Sequence, residues 1–293
     1  MKTFFDCVPC FIRQALDALR MIEVSEEATE RILRLVLLAA AEVEMDQSPP
    51  AMGRVIHRII REETGSSDPY REIKARSTRR ALDSVPVAEE RIAAAPNPLR
   101  ASIRFAIAGN VMDFALPSHW DGDRVERSLE AALSKPLDEE ALAVLEQALA
   151  EASSILVLGD NAGEAVFDRL MIERFPPGKT TYAVKGSPVI NDVVREDALA
   201  AGLDRVAEIV DNGSDAPGTI LDICSPQFRR RFQDADLVIA KGQANYETLC
   251  GQSRPVWFLT QVKCPVIARD LKAEVGDWIV SPRQPEVELA EQG

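Results

Sequence analysis

Acidic and amide side chains follow an apolar run in the middle of the sequence. The run Ile155–Leu158 leads into Gly159-Asp160-Asn161-Ala162-Gly163-Glu164, and an amphipathic stretch begins directly afterwards. A turn that binds a dinucleotide uses bare glycines, which let the pyrophosphate approach the backbone. Carboxylate and amide oxygens are instead the ligands that Mg²⁺ or Mn²⁺ prefers, and these ions also accept phosphate oxygens. The turn is therefore typical of a site in which a cation lies between protein and phosphate.

Four more apolar runs in the second half are followed by segments of similar polar character. The segments cover residues 185–192, 211–218, 241–247 and 261–265, and they contain Asp192, Gly213, Ser214, Lys241, Asn245 and Lys263. If the runs are parallel strands, all five segments lie at the same edge of the sheet, beyond the carboxyl ends of the strands. We therefore expect their polar groups to converge.

The residue types assign separate tasks within such a site. The cation ligands would be Asp160, Asn161 and Asp192. The bound metal would polarise a phosphoryl oxygen and lower the pKa of a bound water. Lys241 and Lys263 would neutralise the phosphoryl group as point charges. Free backbone N–H groups at Gly163 and Gly213 would suit an anion.

Each of these residues also has an ordinary structural interpretation. Asp160-Asn161 could form an Asx turn that caps a helix, and Asn191-Asp192 could cap the next helix. Lys185 and Lys263 could be surface lysines. Taken together, five polar segments at one sheet edge favour a site.

The sequence pattern changes near residue 150. Before it, apolar residues recur at three- and four-residue spacings, which predicts helices. After it, short apolar strands alternate with helical segments. The predicted strands are Ser154–Leu158, Thr180–Lys185, Arg205–Val210, Leu237–Ala240, Val256–Leu259 and Trp278–Val280. The predicted helices between them are Ala165–Arg174, Asn191–Ala201, Ser225–Asp234 and Tyr246–Gly251.

This alternation predicts an α/β fold with a Rossmann-like, mostly parallel sheet and helices on both faces. An all-helical N-terminal domain precedes the sheet. We place a helical cap domain at residues 1–150 and a Rossmann-like α/β domain that carries the metal site at residues 151–293.

Composition limits the classes of partner. The chain has 293 residues, a formal net charge of −13 and five cysteines. An acidic surface of this kind repels nucleic acids and anionic membranes, and a small anionic substrate needs a local cation. The start of the chain lacks the pattern of a secretory signal, and no apolar stretch approaches membrane-spanning length. We expect a cytoplasmic protein that binds neither nucleic acid nor membrane, and its oligomeric state stays open.

Several motifs together resemble one known family, the damage-control phosphatases, which are related to the acidic-residue methyltransferase-like proteins. The motifs, spread over nearly the whole chain, are DCVPCFIRQAL from Asp6, AIAGNVMDFA from Ala106, LGDNAGEAVFD from Leu158, GSPVINDV from Gly186, DNGSDAPGT from Asp211, AKGQANYETL from Ala240 and KCPVIA from Lys263. The Cys-x-x-Cys motif resembles the prokaryotic branch of the family.

The resemblance implies a metal-dependent phosphatase acting on small phosphorylated metabolites, such as damaged or overflow sugar phosphates or phosphopantetheine-type compounds. It implies a divalent ion, Mn²⁺, Mg²⁺, Co²⁺ or Ni²⁺, held by Asp160, Asn161 and Asp192. It also implies substrate contacts from Glu164, Asn245 and Lys263. The eukaryotic branch has an Arg-Thr-x-Lys motif, and here Thr260-Gln261-Val262-Lys263 keeps only the lysine in register.

Two motifs have roles that the sequence leaves open. Asn110 and Asp113 end an apolar helical stretch, where they could satisfy a helix end. Alternatively, the helical domain covers the cleft and Asn110 reaches the metal or the substrate. Cys7 and Cys10 are not accompanied by a second pair at zinc-binding spacing, and they could be reduced thiols packed at the start of the first helix.

Two other functions compete with the phosphatase. The stretch ILVLGDNAG distantly resembles the first strand and turn of an S-adenosylmethionine-dependent methyltransferase, although the carboxylates would crowd the cofactor's own carboxylate. A non-catalytic module that binds metal or sugar phosphate is the other. Phosphate release with and without Mn²⁺, together with S-adenosylmethionine binding, separates the three.

Overall fold

The N-terminal half is helical. The computed structural model describes residues 1–111 and 130–283. Helices with both ends in the described part of this half are α1 (Cys7–Met21), α2 (Glu26–Ala41), α3 (Pro49–Thr64), α4 (Arg71–Asp83), α5 (Val85–Ala94), α6 (Pro98–Val111) and α7 (Glu139–Glu151). Local sequence sets their ends: Ser25 caps α2 by accepting from the Ala28 amide, and Gly65 ends α3 in the left-handed conformation.

A six-stranded sheet forms the second half. Its strands are β1 (Ile155–Leu158), β2 (Thr180–Val184), β3 (Glu208–Asp211), β4 (Leu237–Lys241), β5 (Val256–Gln261) and β6 (Trp278–Arg283). The spatial order is β3-β2-β1-β4-β5-β6, and among these described strands only the β5–β6 pair is antiparallel. This confirms the predicted Rossmann-like, mostly parallel sheet.

Helices connect most of the strands. They are α8 (Ala165–Ile172), α9 (Arg195–Ala200), α10 (Pro226–Asp234), α11 (Gly242–Leu249) and α12 (Pro265–Leu271). None of the described helices is long and apolar enough to cross a membrane.

Alternate residues of the central strands enter cores on opposite faces of the sheet. Val157 and Ile239 pack into one core with residues of α5, α6, α7 and α8, whereas Leu156 and Val238 pack into another with residues of α10, α11 and α12. A third core lies among α1, α2 and α3. Burial on both faces is what a near-continuous apolar strand such as Ile155–Leu158 requires.

The strands β2 and β3 lie on one side of β1, and the chain then crosses to the other side, where it forms β4. β1 pairs with β2 on one side and with β4 on the other. In open α/β sheets this switch point leaves a crevice beyond the carboxyl ends of the two strands, which is where ligands bind. The segments after β1 and β4 border that crevice.

Candidate metal centre

The segment after β1 pairs with a segment that follows β2. Asn161 and Asp192 form an isolated antiparallel bridge. The Val193 amide donates to the Asp160 carbonyl at 2.8 Å, and the Ala162 amide donates to the Asn191 carbonyl at 2.9 Å. Main-chain pairing therefore brings together Asp160, Asn161 and Asp192, the three residues predicted as cation ligands.

The backbone at Ile190 is unusual. Its φ is +39°, a value that β-branched residues rarely adopt. Residues held in such conformations cost free energy and cluster at functional sites. Here the distortion lies two residues before Asp192, in the segment that brings Asp192 to the bridge.

Gly242 makes room for the Asp160 carboxylate. It is the first residue of α11, it has a φ of +77°, and a Cβ atom added there would lie 1.9 Å from Asp160 Oδ2. Asp160 itself is buried. The glycine is thus required both by its conformation and by the close approach of Asp160.

The Asp192 carboxylate is buried and incompletely satisfied. Its Oδ2 atom lies 3.4 Å from Lys185 Nζ but has no hydrogen-bond partner of normal geometry. Burial raises the pKa of Asp192 to about 7, with Lys185 opposing the shift and Asp160 adding to it. A buried carboxylate oxygen without a partner is costly. A cation bound at this atom would remove that cost.

Asn161 holds two neighbouring carboxylates through one amide nitrogen. Its Nδ2 donates to Asp160 Oδ2 at 3.1 Å and to Glu164 Oε2 at 3.3 Å. The amide oxygen is then the atom left to ligate a cation. Within the described residues, no three His, Cys, Asp or Glu side chains form a metal-binding group, and the role of Asn161 as a ligand stays a prediction. The oxygen-only donor set fits Mg²⁺ or Mn²⁺.

Lys241, predicted to neutralise the phosphoryl group, is buried and bonded within the protein. Its side chain is 0% exposed. Its ammonium donates to Asp168 Oδ1 at 2.6 Å, to the Ala106 carbonyl at 2.9 Å and to Glu164 Oε1. An ammonium has three protons, so these partners use them all. Burial alone would lower the pKa of Lys241, but the Asp168 and Glu164 carboxylates outweigh it and raise the pKa.

Three predicted substrate contacts already have partners within the protein. The Gly213 amide, predicted to be free, donates to Asp211 Oδ1 at 3.1 Å. The Ser214 hydroxyl accepts from the Ala216 amide at 3.1 Å, and Asn245 Nδ2 donates to the Lys241 carbonyl at 2.8 Å. Ser214 and Asn245 are buried. These contacts order the loops, and a role in binding substrate stays a prediction for each residue.

Lys263 lies at the same edge of the sheet and is exposed. Its backbone amide donates to Gln243 Oε1 on α11 at 3.0 Å. Burial raises the pKa of Glu247 to about 7, with Lys263 lowering it and Asp160 adding to the rise. Asp160 and Lys263 are thus both within electrostatic reach of Glu247. Asn110 falls in α6, and its side chain lies outside the described part of the chain.

The sequence analysis did not predict three residues that lie beside the candidate site: Asp168, Tyr182 and Lys185. The Tyr182 hydroxyl donates to Asp168 Oδ2 at 2.7 Å, and the Lys185 ammonium donates to the Gly218 carbonyl. Burial raises the pKa of Asp168 to about 6, although Lys241 opposes the shift. The four-residue spacing of Glu164, the N-cap of α8, and Asp168 is the signal that could have revealed this pair.

Three arginines of α3 converge on Asp215, in the loop after β3. Arg54 Nε lies 2.6 Å and Arg58 Nε 2.5 Å from the carboxylate, and Arg61 Nη2 lies 2.8 Å away. Burial would raise the pKa of Asp215, but hydrogen bonds from Arg58 and Arg54 hold it well below its usual range. The four- and three-residue spacings of the arginines place them on one helix face, a pattern that the sequence interpretation overlooked.

Cys7 and Cys10 are free thiols at the start of α1. Burial raises the pKa of both, and the neighbouring Cys264 adds to the rise. The Gln243 amide lies 3.7 Å from Cys264 Sγ. These contacts place the Cys-x-x-Cys motif near the segment that follows β5.

The fold and this crevice define a Rossmann-like α/β protein with carboxylate and amide groups at its switch point. A model of the damage-control phosphatase ARMT1-like domain matches residues 3–279. The chain therefore belongs to the damage-control phosphatase ARMT1-like family, which confirms the resemblance found in its motifs.

Individual relatives agree with this assignment. A damage-control phosphatase of Archaeoglobus fulgidus is 36% identical over 230 residues, which cover 76% of this chain and 79% of the relative. A damage-control phosphatase of Pyrococcus horikoshii is 30% identical over 94% of this chain and 96% of its own length. The crystal structure of a DUF89 family protein from Pyrococcus horikoshii matches with a TM-score of 0.88 at 29% identity, covering 97% of this chain and 100% of that one.

Proposed function

We propose that the protein is a divalent-metal-dependent phosphatase that hydrolyses small phosphorylated metabolites. Membership of the damage-control phosphatase family supports a phosphatase role. The metal dependence is supported chiefly by one observation: the buried Asp192 Oδ2 atom has no hydrogen-bond partner and belongs to a segment paired with Asp160-Asn161. The Asp160 and Asp192 carboxylates with the Asn161 amide oxygen would be a ligand set for Mn²⁺, Mg²⁺, Co²⁺ or Ni²⁺.

The chain's own residues would divide the work. A bound divalent ion supplies Lewis acidity towards a phosphoryl oxygen and lowers the pKa of water. Asp160, Asn161 and Asp192 would hold that ion. Lys263, on the segment after β5, would place a positive charge beside the phosphoryl group, whose equatorial oxygens carry the developing charge. Lys185 would keep the Asp192 carboxylate in position from 3.4 Å.

We propose phosphorylated metabolites as the substrate class, and damaged or overflow sugar phosphates or phosphopantetheine-type compounds as the candidates within it. Two relatives that carry the name damage-control phosphatase cover most of this chain. An acidic protein, with a net charge of −13, needs a local cation to attract a phosphate, and a metal at Asp160 and Asp192 would provide it.

Phosphate release tests the proposal. Metal-stripped protein would be assayed with Mn²⁺, Mg²⁺, Co²⁺ or Ni²⁺ and without metal, over a panel of sugar phosphates and phosphopantetheine compounds. We expect turnover that requires a divalent ion and is lost again with excess chelator. Equal turnover with and without metal would contradict the metal dependence. S-adenosylmethionine binding without any phosphate release would favour the methyltransferase alternative.

A further inference from the structure

The buried Lys241 ammonium raises a question that a phosphate-binding role does not answer. Its three donor positions are filled by Asp168, Glu164 and the Ala106 carbonyl, and no part of the side chain is exposed. Burying an ammonium with two carboxylates costs desolvation free energy, which their attraction offsets only in good hydrogen-bond geometry. The Asp168 and Glu164 carboxylates that bind Lys241 also contact other residues of the site.

A continuous chain of hydrogen bonds leads from Lys241 towards the candidate metal centre. On one side, Asp168 binds Lys241 through Oδ1 at 2.6 Å and accepts from Tyr182 through Oδ2 at 2.7 Å. On the other side, Glu164 binds Lys241 through Oε1 and accepts from Asn161 Nδ2 through Oε2 at 3.3 Å. Glu164 thus connects a buried cation to the amide predicted to bind the metal.

Glu164, together with Asp160 Oδ2, determines which end of the Asn161 amide meets the cation. The oxygen and nitrogen of an amide have nearly the same shape, so the group can turn over unless its hydrogen bonds select one orientation. A carboxylate fixed by Lys241 can only accept, so it selects the nitrogen of Asn161. The oxygen is then directed to the remaining position, where it can serve as a ligand.

We propose that Lys241 and Glu164 are positioning residues, which hold the Asn161 amide in the orientation that binds the metal. The inference rests on the proposed metal site, and it assigns to Glu164 a task different from the predicted substrate contact. Groups that orient a metal ligand typically change metal affinity or activity by about 10- to 100-fold when they are removed.

Glu164→Gln tests the inference with little change of shape. A glutamine that accepts from Lys241 presents its NH₂ group to Asn161 Nδ2, so two donors meet, and only Asp160 Oδ2 still favours the original orientation of the Asn161 amide. Titration of metal-stripped protein with MnCl₂ by calorimetry should show Mn²⁺ affinity lowered by about 10- to 100-fold. Turnover should recover in large part at saturating Mn²⁺, with the KM for substrate unchanged.

Asp270→Asn is the control, because Asp270 is a partly buried carboxylate outside this chain of hydrogen bonds, where it accepts from the Tyr246 hydroxyl. It should bind Mn²⁺ like the wild type. Equal Mn²⁺ affinity in Glu164→Gln and wild type would overturn the inference, as would a raised KM for substrate with unchanged Mn²⁺ affinity, which is the result expected of a substrate contact.

A milder variant covers the case in which Glu164→Gln does not fold. Tyr182→Phe removes only the hydroxyl that steadies Asp168, and it should weaken Mn²⁺ binding about threefold with little change in melting temperature. Unchanged affinity would count against the positioning chain. If the wild type itself binds no Mn²⁺ in calorimetry, the proposed metal site fails and the inference with it. If it binds Mn²⁺ but releases no phosphate, only the proposed activity fails.

Discussion

Asp192 and Lys185 form a buried pair in which the Asp192 Oδ2 atom lies 3.4 Å from the ammonium and has no hydrogen-bond partner. The Lys185 ammonium donates instead to the Gly218 carbonyl. The contact between the Lys185 ammonium and Asp192 Oδ2 is therefore a long ion pair and not a hydrogen bond, and this oxygen could accept a cation.

Replacement of Asp192 by alanine should abolish metal-dependent turnover while the fold remains. Loss of a direct ligand should cost more than the roughly 10- to 100-fold effect of residues that only orient a ligand. Phosphate release at several Mn²⁺ concentrations and thermal melting would be measured together. Asp204→Ala removes an exposed aspartate outside the site and should behave like the wild type. Normal turnover of Asp192→Ala would show that Asp192 is not a ligand.

Lys263→Met should lower kcat by about a hundredfold, because a donor that stabilises transition-state charge is worth at least that much. Mn²⁺ affinity measured by calorimetry should stay near normal, since lysine is not among the proposed ligands. Lys272→Met, at another exposed lysine, serves as the control. A normal kcat for Lys263→Met would exclude the catalytic role, and lost Mn²⁺ binding would indicate damage to the whole site.

Gly242→Ala should weaken Mn²⁺ binding by about tenfold or more, because it displaces the Asp160 carboxylate. The added Cβ would meet Asp160 Oδ2 at 1.9 Å, at a φ of +77° that alanine rarely adopts. Gly251→Ala is matched to it, since a Cβ atom there meets nothing within 4 Å. Calorimetric titration of both variants gives the answer, and equal Mn²⁺ affinities would mean that Asp160 is not held against α11.

Asp215→Asn should lower the free energy of unfolding by about 1–3 kcal/mol. This is the usual cost when a partly buried charged group, here an arginine of α3, loses a hydrogen-bond partner. Solvent screening around Arg58, whose side chain is 47% exposed, should keep the loss in the lower part of that range. Urea unfolding would measure it. Glu208→Gln breaks a more exposed pair with Arg231 and should cost less than about 1 kcal/mol. Equal losses in the two variants would contradict a special role for the arginine cluster.

The contribution of His57 to the free energy of unfolding should decrease as the pH falls from 7 to 5. Burial lowers the pKa of this histidine to about 3, with Arg61 adding to the shift. The unfolded chain takes up a proton below about pH 6.5, whereas the folded protein does not until about pH 3. The stabilisation is therefore complete above pH 6.5 and decreases as the pH falls.

Between pH 7 and pH 5 the loss from His57 amounts to about 2 kcal/mol. His57→Gln retains an acceptor for the Tyr70 hydroxyl, which lies 2.6 Å from Nδ1, but has no proton to gain in this range. Urea unfolding of both proteins at the two pH values isolates the contribution, because other titrating groups cancel in the difference. Parallel pH dependence of wild type and variant would rule the contribution out.

Sequence periodicity located the six strands and the helical N-terminal half, because apolar runs and three- to four-residue spacings reflect burial directly. It did not reveal that β6 runs antiparallel to β5, since the pattern of a buried strand is the same in either direction. The predicted domain boundary at residue 150 stays a prediction.

The predicted and observed ends of β4 differ by one residue, and this difference changes where the Lys241 side chain lies. The predicted strand ended at Ala240 and left Lys241 in the following loop. The observed strand includes Lys241, and strand side chains alternate between faces. Lys241 thus shares the face of Leu237 and Ile239 and enters the core beside α8. Asp192 illustrates the opposite case, because its approach to Asn161 depends on main-chain pairing between two loops that no local pattern encodes.

The N-terminal helices are held against the rest of the protein by two different kinds of contact. Helices α5, α6 and α7 share one continuous core with the sheet, whereas α1, α2 and α3 have a core of their own. On the α3 side, Asp215 holds three arginines through ion pairs that water and salt can replace. We therefore expect ionic strength to weaken the contact between α3 and the loop after β3 more than the apolar contact of α5–α7 with the sheet.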